Sequence, residues 1–280
     1  MAAFSEMGWQ SPDGIEFKGY HITADRPKGL LALVHGLGEH SGRYKHMARY
    51  FADHGYAFAA FDLRGHGRSG GQRGHTPTYN TLLDDVAAFL SKARAFYPDL
   101  PVFLYGHSMG GNIVLNYWVK RQPQDLAGII TSGAFIRLAF EPSALVVALA
   151  RFMRGVFPKF SQKNQLVVDH ISRSPEVVEA YKNDPLVHNR LSATLGIGLI
   201  EAARMLYGFQ GHTDTPMLIM HGGADKLTSP KGSRQFAENV SGDVTYKEWP
   251  GLYHELHNEP EKQQVFDFVL KWMNDHLPAT

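Results

Sequence analysis

Five short apolar runs punctuate this chain, and each is followed directly by Gly, His, Ser or Asp. They are Leu30–Val34, Tyr56–Phe61, Val102–Tyr105, Gly128–Thr131 and Met217–Met220. Their hydrophobicity is continuous rather than alternating, which predicts strands buried on both faces, as in a parallel sheet covered by helices. Helical periodicity lies between them. The clearest stripe runs Tyr79, Leu82, Val86, Phe89, Ala93 and Phe96, at steps of three and four. Asn112–Arg121 and Gln263–His276 read as helices too, and Ser229-Pro230 reads as an N-cap followed by proline at the first helical position. Strand and helix alternating in this order predict a doubly wound α/β architecture. Gly14–Ile22 has period-two character and is expected to be an antiparallel edge strand. Between about 134 and 214 the rhythm breaks. That stretch is too long for a plain loop and is largely helical in pattern, so it is expected to be a cap inserted in one domain spanning 1–280.

Composition removes several classes of function. The chain has no cysteine, which excludes disulfides, thiolate nucleophiles and cysteine-ligated metal sites. Lys+Arg number 28 against 27 Asp+Glu, so no basic footprint for nucleic acid is present. With 280 residues and 44% hydrophobic content, a core can form without staples. Met1–Gly14 lacks the pattern of a signal peptide and no segment has the apolar length to span a bilayer, which leads to the expectation of a cytoplasmic protein.

Gly106-His107-Ser108-Met109-Gly110 matches G-x-S-x-G, and it follows an apolar strand and precedes a helical pattern. A serine exposed on such a strand-to-helix turn needs small neighbours two residues away. The helix N-terminus behind it offers N–H groups to developing negative charge. A serine hydroxyl is a poor nucleophile until a base takes its proton and a carboxylate orients that base. In enzymes with this turn the acid and then the histidine follow the serine. Asp225 comes just after the run Met217–Met220, and His254 follows the strand expected at Val244–Trp249, so both are expected at the carboxyl edge of the sheet with Ser108. His257 is a rival base, less favoured because His254 stands nearer the strand end. Asp214 and Asp243 lie before their strands, at the wrong edge. An oxyanion hole needs two fixed N–H donors. Met109 is expected to supply one and Leu37, in the loop His35-Gly36-Leu37-Gly38, the other.

At these residues the sequence resembles the monoacylglycerol lipase and lysophospholipase branch of the α/β-hydrolases, grouped with the serine aminopeptidases. The resemblance rests on His35–Tyr44, Asp62–Ser69, Gly106–Gly111, Asn183–Leu186 and Gly223–Asp225. It implies an α/β-hydrolase fold, a triad of Ser108, Asp225 and His254, and cofactor-free cleavage of one acyl chain from a glycerol-type head. A lysophospholipase, general carboxylesterase or thioesterase is the alternative within the enzymes. A catalytically inactive ligand receptor on the same fold is the alternative outside them. An aspartate nucleophile, as in dehalogenases of this fold, is disfavoured by serine at position 108. The resemblance also implies polar contacts to the glycerol end from Glu39, Arg43, Tyr181 and His257. Glu39 and Arg43, four residues apart, equally fit a structural ion pair.

Within the expected cap, Pro142–Ala150 carries no charge and is followed by Arg151, Arg154 and Lys159 among apolar residues. Such a helix could rest transiently on a lipid surface and admit a fatty chain, or simply pack on the body. No metal is expected: His254-Glu255-Leu256-His257 spaces its histidines by three, whereas HExxH needs four.

Overall fold

The computed structural model describes residues 3–140 and 143–278. In chain order its strands are β1 (Ser5–Gln10), β2 (Glu16–Ile22), β3 (Leu30–Val34), β4 (Ala57–Phe61), β5 (Val102–His107), β6 (Gly128–Ser132), β7 (Ser161–Lys163), β8 (Arg190–Ser192), β9 (Gly211–Gly222) and β10 (Val240–Trp249). The helices are α1 (Lys45–Asp53), α2 (Tyr79–Phe96), α3 (Met109–Arg121), α4 (Ala144–Val156), α5 (Pro175–Asn183), α6 (Ala193–Tyr207), α7 (Pro230–Asn239) and α8 (Lys262–Asp275). Eight strands form one sheet in the order β1-β2-β4-β3-β5-β6-β9-β10. From β4 to β10 the neighbours run parallel, while β1 and β2 pair antiparallel at one side.

The apolar runs behave as their continuity predicts. Every residue of β3, β4, β5 and β6 is buried. Alternate residues of β3 serve opposite faces. Leu30, Ala32 and Val34 pack with residues of α2 and α3, whereas Leu31 and Leu33 pack with Phe51 of α1 and Val269 and Trp272 of α8. Two apolar layers thus clamp one sheet, as period-two side-chain geometry requires.

Three expectations change in detail. The edge strand is β1, and β2 lies inside it, paired on both sides. β1 escapes a pattern search because only Met7 of its residues is buried. α3 begins at Met109, directly after the turn residue Ser108, rather than at Asn112. Ser229 does occupy the N-cap of α7 ahead of Pro230, but its side chain makes no capping hydrogen bond.

Between β6 and β9 the chain leaves the sheet, forming α4, α5, α6 and a small antiparallel pair of β7 with β8. α6 sends Leu195, Leu199 and Leu206 into the main core. α4 buries only Val147, so most of its apolar surface remains outside. Pro142, the first residue of the uncharged stretch noted above, lies outside the described residues. Among the described residues no helix is long and apolar enough to cross a membrane.

Candidate active site

The turn between β5 and α3 is strained at one residue. Ser108 has φ 53° and ψ −115°, a conformation costing on the order of 1–3 kcal/mol for a residue with a side chain. The surroundings impose it. The Ser108 N–H donates to the Ser132 carbonyl at 3.0 Å, and its own carbonyl accepts from Phe135 and Asn112, each at 3.0 Å. The flanking glycines provide the space. A Cβ on Gly110 would stand 2.1 Å from the Val34 carbonyl oxygen, and one on Gly106 would stand 2.5 Å from that of Gly110. Any side chain at either position would push α3 off the sheet and lose the turn.

The strained turn presents Ser108 to a cavity of about 480 Å³. Leu138, Val147, Met153, Leu191, Ile197 and Ile200 give it apolar walls, while Glu39, Thr228 and His254 border it near the serine. Leu37 and Met109 border it as well. Among the described residues neither the Leu37 nor the Met109 N–H has a hydrogen-bond acceptor, so both donors are free to serve a bound oxygen.

Asp225 follows β9 and His254 follows β10, and the parallel register brings them together. His254 Nδ1 lies 2.7 Å from Asp225 Oδ2. The other oxygen, Oδ1, accepts the N–H groups of Leu227 at 2.7 Å and Thr228 at 3.1 Å. Burial alone would raise this carboxyl, but the adjacent His254 charge and hydrogen bonds from His221 and His254 hold it well below the usual carboxylate range. Burial likewise opposes a charged His254, and the Asp225 carboxylate outweighs it, leaving the imidazole above its ordinary value. His107 shows the contrast. It sits 4.8 Å from the His254 ring without a carboxylate partner, and burial, reinforced by His254, pushes it down to about 3.

The rejected acids are where strand direction places them. Asp214, near the start of β9, pairs with His212, and Asp243, near the start of β10, pairs with His276. Both lie at the sheet edge opposite Asp225.

The four residues expected at the glycerol end divide into two pairs. Glu39 and Tyr181 border the cavity. Arg43 and His257 stand behind that wall, which corrects the expectation that all four touch a ligand. His257 is fully buried, stacked on Tyr44 at 4.4 Å and edge-on to His107 at 4.8 Å. Burial and the neighbouring His107 keep it far below the ordinary imidazole value, which makes it a poor base. Arg43 makes the anticipated ion pair with Glu39 at 2.6 Å and a second with Glu255, while its guanidinium lies over the Tyr181 ring at 4.7 Å. Glu39 Oε1 also accepts the Gly36 N–H and the Tyr44 hydroxyl, both at 2.7 Å. Despite burial, the Arg43 charge draws the Glu39 carboxyl down to about 2. The carboxylate therefore pins the loop that carries Leu37.

His221, Thr228 and Glu255 escaped the sequence reading. Each is adjacent to something that was found: His221 ends an apolar run, Thr228 follows Asp225, and Glu255 follows His254.

Comparisons with known proteins identify the family. The family model described as serine aminopeptidase, S33, matches residues 25–261. A monoacylglycerol lipase of Mycolicibacterium smegmatis is 39% identical over 90% of this chain and 90% of its own length. An uncharacterized abhydrolase domain-containing protein of Dictyostelium discoideum is 37% identical over 90% of this chain, which spans only 27% of that longer protein. The crystal structure of Paleococcus ferrophilus monoacylglycerol lipase superposes with a TM-score of 0.80 at 29% identity, covering 99% of both chains. The strained serine turn, the sheet order and the length of these matches lead to one conclusion: the chain belongs to the serine aminopeptidase S33 family and has the α/β-hydrolase fold.

Proposed function

We propose that this chain hydrolyses the ester bond of monoacylglycerols to glycerol and a free fatty acid, with Ser108 as nucleophile. One observation carries the reading: a strained serine and a carboxylate-paired imidazole open onto the same cavity, whose walls are mostly apolar. A volume of about 480 Å³ is ample for a single lipid chain. The relative from Mycolicibacterium smegmatis, named a monoacylglycerol lipase, supports the choice of substrate.

In the proposed reaction His254 takes the Ser108 hydroxyl proton as Oγ attacks the ester carbonyl. The tetrahedral oxyanion is received by the N–H groups of Leu37 and Met109. Collapse breaks the bond to glycerol, whose oxygen takes the proton from His254 and leaves. Water then attacks the acyl-Ser108 ester, His254 again takes a proton, and the second collapse returns that proton to Ser108 and releases the fatty acid. Asp225 stays ionised throughout and stabilises the imidazolium. Glu39 and Tyr181 would meet the glycerol hydroxyls, with Arg43 and His257 holding them in place.

The segment from about 134 to 214 is read as a cap on a single domain. Its exposed apolar helix α4 is read as a transient contact with a lipid surface, consistent with a cytoplasmic protein acting at membranes. Supporting this are the side-chain exposures of Leu145 at 78% and Phe152 at 64%.

A fluorophosphonate probe should label the wild type and not Ser108→Ala. Absence of wild-type labelling would favour an inactive receptor. Hydrolysis rates on mono-, di- and triacylglycerols of several chain lengths, set beside lysophospholipids, then test the substrate. A strong preference for the phospholipid head would replace the present reading.

A further inference from the structure

Asp225 is approached by a second imidazole. His221, the next-to-last residue of β9, is fully buried and places Nε2 3.0 Å from Asp225 Oδ2. Its other nitrogen, Nδ1, lies 2.7 Å from Ser233 Oγ on α7. Counting hydrogens assigns the protons. An ionised carboxylate only accepts, so Nε2 carries the hydrogen that reaches Oδ2, and Nδ1 accepts the Ser233 hydroxyl. Thr228 has a single hydroxyl hydrogen and two acceptors within reach, Asp225 Oδ2 at 2.8 Å and the Gly133 carbonyl at 3.0 Å. Directed to Gly133, it leaves the lone pairs of Oδ2 to the two imidazoles.

We infer that His221 is a positioning residue for the hydrolytic reaction, fixing the plane of the Asp225 carboxylate and hence the aim of His254 at Ser108. The inference rests on the roles proposed above for those three residues. Backbone N–H groups of Leu227 and Thr228 anchor Oδ1, but they leave the carboxylate free to tip about that anchor. The His221 N–H removes that freedom at Oδ2. It also shares the electron density of the oxygen that faces His254 Nδ1. Without it the carboxylate would be both less well aimed and a stronger partner for the imidazolium. Ser233 has a defined part: its hydroxyl holds the proton of His221 on Nε2, where it is needed.

The test compares His221→Leu, His221→Gln and Ser233→Ala with wild type on a soluble p-nitrophenyl ester. His221→Leu removes the donor, and kcat is expected to fall about tenfold with little change in KM. The acid limb of its kcat/KM profile should move to higher pH by about half a unit, because Asp225 then favours protonated His254 more strongly. His221→Gln keeps an N–H within reach of Asp225 and should recover most of the lost kcat. Ser233→Ala leaves the imidazole but not its fixed tautomer, and should show a smaller loss in the same direction. These two variants carry the test if His221→Leu does not fold. A His221→Leu enzyme with wild-type kcat and acid limb would overturn the positioning role, and so would His221→Gln as slow as His221→Leu. Fluorophosphonate labelling separates this from the parent reading. Failure of wild type to label removes Ser108 as nucleophile, whereas normal labelling with unchanged variants removes His221 alone.

Discussion

Arg43 grips Glu255 with both arms of its guanidinium, Nη1 to Oε1 at 2.6 Å and Nη2 to Oε2 at 2.7 Å. Nη1 also reaches Glu39 Oε2 at 2.6 Å, so one cation joins the loop carrying Leu37 to the residue after His254. Both carboxylate side chains are only 3% exposed. Arg43→Met would leave them buried together without a counter-charge, at a cost of about 3–5 kcal/mol. In a domain of this size that lowers the melting temperature by roughly 10 °C. Arg43→Lys keeps the charge but not the two-armed geometry and should fall between. Thermal melts of the three proteins decide it, and an unchanged Arg43→Met midpoint would show that the network is not structural.

The rate should depend on pH through His254. In the proposed reaction only the neutral imidazole can accept the Ser108 proton, and Asp225, against the effect of burial, raises the imidazole above its ordinary value. Activity therefore falls as pH drops through a midpoint above about 6.5, the usual histidine value. Asp225→Asn should move that limb to lower pH, since the stabilising charge is gone. It should also cut kcat by a factor on the order of 10⁴, through loss of the correct tautomer and orientation. A kcat/KM profile on a soluble ester measures both effects.

The strands and the strained Ser108 turn were legible because their causes are local. Continuous apolar runs mark doubly covered strands, and Gly106 and Gly110 mark places where backbone approaches backbone. Asp225 and His254 were legible through strand order, since both follow parallel strands. What escaped was non-local. Nothing near Arg43 in the sequence points to Glu255, which lies 212 positions away. His257, three residues past His254, resembles a site residue in sequence. Its burial between Tyr44 and His107 emerges only when the turn before α1, the end of β5 and the 256–258 turn are packed together. β1 escaped because an edge strand covered on one face carries little hydrophobic signal.

Acid should destabilise the fold through its buried neutral histidines. Burial is the largest cause lowering His35, His66, His107 and His257 below the ordinary imidazole value, with His107 at about 3. A base depressed in the folded state binds fewer protons there than when unfolded. Its contribution is complete above the unfolded value of about 6.5 and is lost as pH falls toward the folded value. His254, raised in the fold, acts oppositely, contributing most at low pH and losing that as pH rises. Four groups against one predict a melting temperature that falls steadily below about pH 6.5. His257→Phe keeps the stack on Tyr44 while removing one titrating ring, and should flatten the decline by up to about 1.4 kcal/mol per pH unit. Parallel pH–melting curves for wild type and His257→Phe that coincide would refute this account.

The proposed lipid-surface contact can be tested apart from binding of the acyl chain, because only some of the exposed apolar residues of α4 border the cavity. Leu145, Leu149, Phe152 and Val156 form one exposed stripe at helical spacing, with exposures of 78%, 59%, 64% and 51%. Leu149 and the neighbouring Val146 also border the cavity, so substituting them would confound the two roles. Leu145, Phe152 and Val156 are exposed without being part of that lining. Arg154 is paired with Glu201 at 2.7 Å. Changing Leu145, Phe152 and Val156 together to serine removes apolar area from the helix without touching the site. At about 25 cal/mol per Å² even partial burial of three such side chains contributes several kcal/mol to surface binding. The triple variant should therefore lose roughly tenfold or more in rate on vesicle-borne monoacylglycerol, since about 1.4 kcal/mol already corresponds to a factor of ten. Its rate on a short soluble ester should stay within about twofold of wild type, because Ser108, Asp225 and His254 are undisturbed. Equal losses on both substrates would mean that α4 packs for stability rather than meeting a membrane.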